Sequence, residues 1–198
     1  LISAIGIVHD VRNSLSMDLK AAGNLLYLVG ETRGTLAGSQ YHALHRIEGG
    51  KAPQVDTAKA LATFRTLHQA ISKGLVRSAH DVSEGGTAAC VAEMALAGNL
   101  GCDLDGLFGA SPDLPTRAVL FSESPSRFVV EISPENAPAF ENAMASVACR
   151  AIGRVVKEQR LRIAGPKGDW IIWTPLGDLV AAWRNTLPRQ LGEQGIVE

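Results

Sequence analysis

The sequence predicts an α+β fold in which helices flank a mixed sheet. Strand-like apolar runs alternate with helix-like segments along most of the chain, and three short β runs follow one another in residues 149–174. These closing runs are too tightly spaced for helical crossovers, and no G-x-G-x-x-G follows a first strand. A doubly wound parallel sheet is therefore disfavoured.

The first predicted elements are extended. Residues 3–11 mix β-branched and small side chains, which predicts a strand or an extended lead-in. Residues 24–30 (NLLYLVG) form a short apolar run closed by a glycine, which is typical of a buried strand. Residues 36–47 have room for a short helix at their centre, ahead of a glycine pair and a proline that would end it.

Residues 55–74 predict an amphipathic helix. Asp56 is suited to the N-cap and Gly74 to the position just beyond the C-cap. The predicted apolar face consists of residues that recur at helical spacing, namely Leu61, Phe64, Leu67 and Ile71.

The middle of the chain predicts a strand followed by a helix. Residues 75–82 have strand character and residues 85–98 are an Ala-rich helical segment, so together they form a β-turn-α unit. Residues 101–115 predict a loop with room for one short strand, and residues 127–132 (RFVVEI) predict another strand.

Two further helices are predicted towards the end of the chain. Residues 133–147 should begin with Ser133 at the N-cap and Pro134 at the first helical position. Residues 175–192 place four apolar side chains on one helical face, namely Leu176, Leu179, Val180 and Trp183.

Composition excludes several classes of protein. The 198 residues fit one domain of ordinary size, or one domain and a small appendage, and a net charge of −1 gives no sign of nucleic-acid or anionic-membrane binding. No apolar run is as long as a membrane span, and the start has no basic signal-peptide region. The three cysteines (Cys90, Cys102 and Cys149) form no C-x-x-C pair, which favours reduced thiols and a cytoplasmic protein. Because the first residue is Leu, within an apolar run, we expect a piece of a longer chain.

The stretch HDVSEGG is the first candidate site. Asp81 ends a predicted strand, where a carboxylate can hold Mg²⁺ that bridges phosphate oxygens, and Glu84 can hold a metal or a water. Ser83 can add a hydroxyl contact, while Gly85 and Gly86 let a phosphate approach the helix start closely. The residues alone favour a simpler alternative, in which Asp81 or Ser83 caps the helix and the glycines make the turn.

The stretch FSESPSRF is the second candidate site. Ser122, Ser124 and Arg127 can bind a phosphate or a carboxylate. The alternative is a surface turn with a weak ion pair between Glu123 and Arg127. A third, weaker candidate is Ser39, which with its neighbouring glycine can form a small backbone nest for an anion.

Other chemistries are not favoured. No His-x-x-x-His occurs with a glutamate, so no zinc site is expected, and no G-x-S-x-G occurs. His80 and Asp81 are adjacent on a predicted strand and should point to opposite faces, which argues against a catalytic pair.

Four stretches together resemble a known family. SAHDVSEGGTAACVAEMALAG, FSESPSRFVVEI, LAGSQY and PLGDLVAAWRNTLP are similar to motifs in the C-terminal domain of the phosphoribosylformylglycinamidine synthase family, small bacterial (PurL) type. More broadly, the chain resembles the C-terminal domain of the aminoimidazole-ribonucleotide-synthetase (PurM-like) superfamily. Residues 1–20 then correspond to a segment connecting from a preceding domain, and residues 21–198 to the domain itself.

The resemblance implies an ATP-dependent C–N ligase of purine biosynthesis. Its full-length members make formylglycinamidine ribonucleotide from formylglycinamide ribonucleotide, ATP and ammonia, which a glutaminase subunit supplies with a small helper subunit. This domain would line an auxiliary Mg-nucleotide site (Mg²⁺ with ATP or ADP), pack on the N-terminal domains of the same chain, and be inactive alone. The alternatives are a purely structural domain with an idle duplicated site, and a sister synthetase of the same superfamily.

The resemblance also assigns residue roles. Asp81 would be a Mg²⁺ ligand on the nucleotide and Ser83 would contact it, whereas the catalytic residues belong to earlier domains. Two loops depart from the family pattern: Ala37 and Gln40 replace Gly and Glu, and Pro125-Ser126 replaces a frequent Gln-Gly. These departures weaken any role for the two loops and leave HDVSEGG intact.

Overall fold

The computed structural model describes residues 3, 5–8 and 10–190, and side chains as far as residue 186. Seven strands are present in this part, namely β1 (Leu25–Val29), β2 (Ser78–Asp81), β3 (Gly101–Leu104), β4 (Phe128–Ile132), β5 (Cys149–Val156), β6 (Arg160–Ala164) and β7 (Trp170–Pro175). The helices are α1 (Gln40–Leu44), α2 (Thr57–Ser72), α3 (Gly86–Gly98), α4 (Thr116–Phe121), α5 (Ala137–Ala143) and α6 (Leu176–Gln190). Two short 3₁₀ helices, Val11–Asn13 and Leu107–Ala110, complete the described elements.

The strands form one mixed sheet, which confirms the predicted fold class. Their order is β2-β4-β1-β5-β3-β6-β7. All pairs are antiparallel except β3 and β6, which run parallel. Such a sheet, with helices on its faces, is an α+β arrangement and not a doubly wound one.

The hydrophobic core lies on both faces of this sheet. Alternate residues of β1 point to opposite sides, so that Leu26 and Leu28 join one cluster while Tyr27 and Val29 join the other. Residues of α3, α4 and α6 cover the first cluster, and residues of α2 and α5 cover the second. None of the described helices is both long and apolar enough to cross a membrane.

Helix α2 buries a different face from the predicted one. Asp56 caps it as expected, accepting a hydrogen bond from the backbone N–H of Lys59. Leu61 and Phe64, predicted to be in the core, are 48% and 45% exposed. The buried residues are Ala60, Thr63, Leu67 and Ala70. Three of these are small, which lets the helix axis approach the sheet and turns the larger side chains outward.

Helix α5 starts one turn later than predicted. Residues 133–136 form a turn in which Asn136 N–H donates to the Ser133 carbonyl, and the helix begins at Ala137. Pro138 explains the shift, since proline is tolerated in a first helical turn but breaks a helix interior. A helix that began at Pro134 would have placed Pro138 in that interior.

The last helix, α6, exposes one of its predicted core residues. Leu176 is buried and Leu179 packs against the first core cluster, as expected. Trp183 is instead 71% exposed. Among the described side chains of α6, the apolar residues that pack on the first core cluster thus lie in its first turns.

The segment before β1 is held against the domain by a buried carboxylate. Glu131 is fully buried in β4 and accepts hydrogen bonds from the backbone N–H groups of Lys20 and Ala21. The side chains of Asn24 and Ser78 donate to the same carboxylate. These donors satisfy the acceptor oxygens of the buried side chain and fix the path by which the chain enters the sheet.

Candidate functional site

A cleft of about 450 Å³ lies at the β2 edge of the sheet. Asp81, Glu84 and Glu123 contribute its acidic side, and Phe64 and Phe128 contribute its aromatic side. The cleft thus brings the two predicted candidate stretches, HDVSEGG and FSESPSRF, to one place.

Asp81 is presented to solvent at the end of β2. Its backbone pairs with Phe128 on β4, and its side chain is 65% exposed. Ser83 and Glu84 follow in an exposed turn, where the Gln40 side-chain amide lies 3.4 Å from a Glu84 oxygen. The carboxylates of Asp81 and Glu84 are therefore both accessible from the cleft.

The start of α3 is bound by Glu123, which the sequence indicated only as an ion-pair partner of Arg127. Gly85 N–H donates to Glu123 Oε1 at 2.8 Å, and Gln40 N–H donates to the same oxygen at 2.8 Å. The predicted alternative of a side-chain cap is wrong, because Gly85 occupies the N-cap and neither Asp81 nor Ser83 caps the helix. Glu123 instead complements the positive end of the helix from another loop.

The two glycines serve close packing at this helix start. Gly85 and Gly86 adopt φ angles of 75° and 70°, which non-glycine residues rarely adopt. A Cβ at Gly86 would lie 2.7 Å from both Phe121 Cα and the Ser122 carbonyl oxygen. The backbone that lies close to Gly86 thus belongs to the end of α4.

Arg127 is buried and supports the loops around the cleft. Its guanidinium donates to the Ser122 and Ser124 carbonyls and to the hydroxyls of Thr32 and Thr87. Burial lowers the pKa of this guanidinium to about 10. The predicted surface pair with Glu123 is wrong, because Arg127 is only 1% exposed and its bonds go to backbone carbonyls and hydroxyls.

The three candidate serines of the other loops are also buried. Ser122 and Ser124 hydroxyls lie 2.6 Å apart, and both donate towards the Arg33 carbonyl. Ser39 caps α1 by accepting from His42 N–H and donates to the Leu36 carbonyl. All three hydroxyls are thus satisfied within the chain.

His80 contacts two carboxylates at the edge of the cleft. Its Nε2 lies 2.8 Å from Glu93 Oε2 on α3, and its Nδ1 lies 3.4 Å from Asp81 Oδ1. The expectation that His80 and Asp81 point apart is wrong, because Asp81 is the last residue of β2 and the alternation of the strand ends there.

The acidic residues of the cleft form only part of a metal coordination set. Among the described residues, no three His, Cys, Asp or Glu side chains are placed to hold one ion. Mg²⁺ commonly uses one or two carboxylates together with waters and phosphate oxygens. Asp81 and Glu84 fit that partial role and not a closed protein cage.

The fold and the family match define the class of protein. The mixed seven-stranded sheet with helices on both faces makes this chain an α+β domain. The family described as AIR synthase related protein, C-terminal domain, matches residues 21–165. The chain belongs to this family, which confirms the broader of the two predicted resemblances, that to the C-terminal domain of the aminoimidazole-ribonucleotide-synthetase superfamily.

Solved structures share this fold. Thermotoga maritima PurL complexed with FGAR has a TM-score of 0.72 and 20% sequence identity, over 94% of this chain and 31% of that one. Thermotoga maritima PurL complexed with ATP has a TM-score of 0.68 and 21% identity, over 94% of this chain and 29% of that one. Escherichia coli HypE, a hydrogenase maturation protein, has a TM-score of 0.55 and 20% identity, over 79% of this chain and 50% of that one. The chain thus spans about a third of the length of the PurL structures that it matches.

Proposed function

We propose that this chain is the C-terminal domain of a phosphoribosylformylglycinamidine synthase of the small bacterial type. The complete enzyme would convert formylglycinamide ribonucleotide, ATP and glutamine-derived ammonia to formylglycinamidine ribonucleotide. The family match and the greater similarity in fold to PurL than to HypE support this proposal.

The accessible carboxylate of Asp81 is the observation that carries the proposal. It stands at the end of β2, at the mouth of a cleft that also exposes Glu84 and Ser83. Asp81 and Glu84 would hold Mg²⁺, which would supply positive charge to offset that of the phosphates of ATP or ADP. Ser83 would donate a hydroxyl contact to the bound nucleotide.

The remaining candidate residues would support the loops around the cleft and would not contact the nucleotide. Gly85 and Gly86 shape the turn, while Ser39, Ser122, Ser124 and Arg127 hold the adjacent loops through buried hydrogen bonds. We therefore assign these four side chains to the support of the nucleotide site and not to direct contact with phosphate.

The domain would work only within a larger cytoplasmic assembly. Residues 1–20 would connect it to a preceding domain of the same chain, and residues 21–198 would form the domain itself. A glutaminase subunit and a small helper subunit would supply ammonia. The isolated domain is expected to have no ligase activity.

The test uses the full-length enzyme with its two partner subunits. ADP release from Mg-ATP should require both formylglycinamide ribonucleotide and glutamine. An equal rate of ADP release with and without the ribonucleotide would overturn the proposed reaction. Asp81→Asn should weaken retention of Mg-ADP by about tenfold or more, as expected when one carboxylate ligand is lost. Asp113→Asn is the matched control, because Asp113 is exposed and lies outside the cleft.

A structural role with an idle site is the second candidate. The hydrogen bond from Gly85 N–H to Glu123 favours it, because a carboxylate of the chain already occupies the anion position at the start of α3. Under this alternative, Asp81→Asn and Asp113→Asn would leave nucleotide retention equally unchanged.

A further inference from the structure

We propose that Phe64 and Phe128 form the wall on which the planar base of a nucleotide stacks. The inference rests on the proposed function, because it assumes that the cleft holds a nucleotide with its phosphates near Asp81 and Glu84. It adds a second subsite, for the base, beside the carboxylates of the cleft.

The two rings form a defined aromatic surface. Their centroids are 5.7 Å apart and their planes are inclined by 79°, so Phe64 meets Phe128 edge to face. Phe128 packs against the second core cluster, which holds that ring in place. Phe64 projects from α2 and remains 45% exposed, although an amphipathic helix would ordinarily bury a residue of this size.

The aromatic surface lies within reach of the acidic side. Phe128 pairs directly with Asp81 across β4 and β2, and Phe64 lines the same cleft. A cleft of about 450 Å³ is within the range of small-molecule sites, which is roughly 300–1,000 Å³. One ligand of nucleotide size can therefore span both sides.

The chemistry of the two sides selects the orientation of that ligand. Three carboxylates line one side, while the donors of Arg127, the basic residue that lines the cleft, bond to carbonyls and hydroxyls of the chain. Phosphates would therefore reach the acidic side only together with a cation. An aromatic base has no such requirement, and stacking on Phe64 would shield the apolar face of the ring from water.

The experiment compares two ligands on the full-length protein by isothermal titration calorimetry. Mg-ADP carries a base and Mg-tripolyphosphate does not. Phe64→Ala should weaken Mg-ADP binding by about tenfold, the usual loss when one base–aromatic stack is removed. It should leave the affinity for Mg-tripolyphosphate unchanged.

Three further variants act as controls. Phe64→Tyr keeps a ring and should bind Mg-ADP like the parent, whereas Phe64→Leu keeps an apolar side chain without a ring and should bind like Phe64→Ala. Leu61→Ala removes an equally exposed apolar side chain of α2 that lies outside the cleft. It should change neither affinity.

The outcomes separate this inference from the proposed function. If Asp81→Asn weakens both ligands and Phe64→Ala weakens neither, the nucleotide site stands and the base subsite is overturned. Equal weakening of both ligands by Phe64→Ala would also overturn it, because the effect would then be structural. If Asp81→Asn leaves both affinities unchanged while Phe64→Ala weakens only Mg-ADP, base stacking stands and the proposed metal–phosphate site fails.

Discussion

Residues 81–86 and residues 122–127 are neighbouring segments that differ in the burial of their polar side chains. The first segment leaves Asp81, Ser83 and Glu84 exposed. The second buries Ser122, Ser124 and Arg127 to 1% exposure or less. Both segments contain Ser-Glu beside small residues, so their local sequences alone do not distinguish them.

Partners from distant parts of the chain create the difference. Arg127 reaches Thr32 in the loop after β1 and Thr87 in α3, and the serines reach the Arg33 carbonyl. Buried polar groups persist only where such partners exist, whereas exposed ones remain free to bind a ligand. The buried polar groups of the second segment therefore have a structural role, whereas the exposed groups of the first are those that the proposed function uses.

Arg127→Met should have the largest effect on stability. It removes donors from the Ser122 and Ser124 carbonyls in a buried place, although loss of the desolvated charge offsets part of the cost. We expect the free energy of unfolding, measured by urea denaturation, to fall by about 4 kcal/mol.

Asp81→Asn is the matched variant in the exposed segment. Its effect on the free energy of unfolding should stay within about 0.5 kcal/mol, as for most exposed sites. Comparable losses for Arg127→Met and Asp81→Asn would remove the distinction between the two segments.

Gly86→Ala should have the next largest effect, because Gly86 lies where the two segments touch. The new Cβ would lie 2.7 Å from the Phe121 and Ser122 backbone, at a φ of 70°. We expect a loss of about 3 kcal/mol, which combines the crowding with the left-handed conformation.

Gly38→Ala separates these two contributions. Gly38 has a φ of 75° and no atom within 4 Å of a built Cβ, so it reports the conformational cost alone, about 1 kcal/mol. If both variants lose the same free energy in urea denaturation, the contact between the segments contributes nothing at Gly86.

Local patterns predicted most of the fold. The strands within residues 24–30 and 127–132 and the helices within residues 55–74 and 85–98 were predicted because apolar spacing and glycine positions act over a few residues. The start of α5 was also encoded locally, by Pro138. It was missed because the Ser-Pro pair at 133–134 offers a competing start signal.

The arrangement of the site could not be predicted in this way. Glu123 binds Gly85 across 38 residues, and Arg127 binds Thr32 across 95 residues, so neither contact has a local signal. The exposed position of Phe64 depends on how α2 rotates against the sheet, which packing decides and periodicity does not. The position of Asp81 at the end of a strand, with Ser83 and Glu84 just after it, did follow from the sequence.

Glu123→Gln should lower stability less than Arg127→Met or Gly86→Ala. Its carboxylate joins Gly85 N–H at the start of α3 to Gln40 N–H at the start of α1, and a glutamine oxygen would keep both bonds without the charge. We expect a loss of about 1 kcal/mol in urea denaturation, from weaker hydrogen bonds at two helix starts.

Glu84→Gln is the control for this last variant, because Glu84 is an exposed carboxylate of the same cleft with one long contact of 3.4 Å. Its effect should stay within about 0.5 kcal/mol. Equal losses from the two variants would mean that the charge of Glu123 is no more coupled to the helix starts than an ordinary surface charge. The two hydrogen bonds to Gly85 and Gln40, which a glutamine keeps, would then link the helix starts without help from the charge.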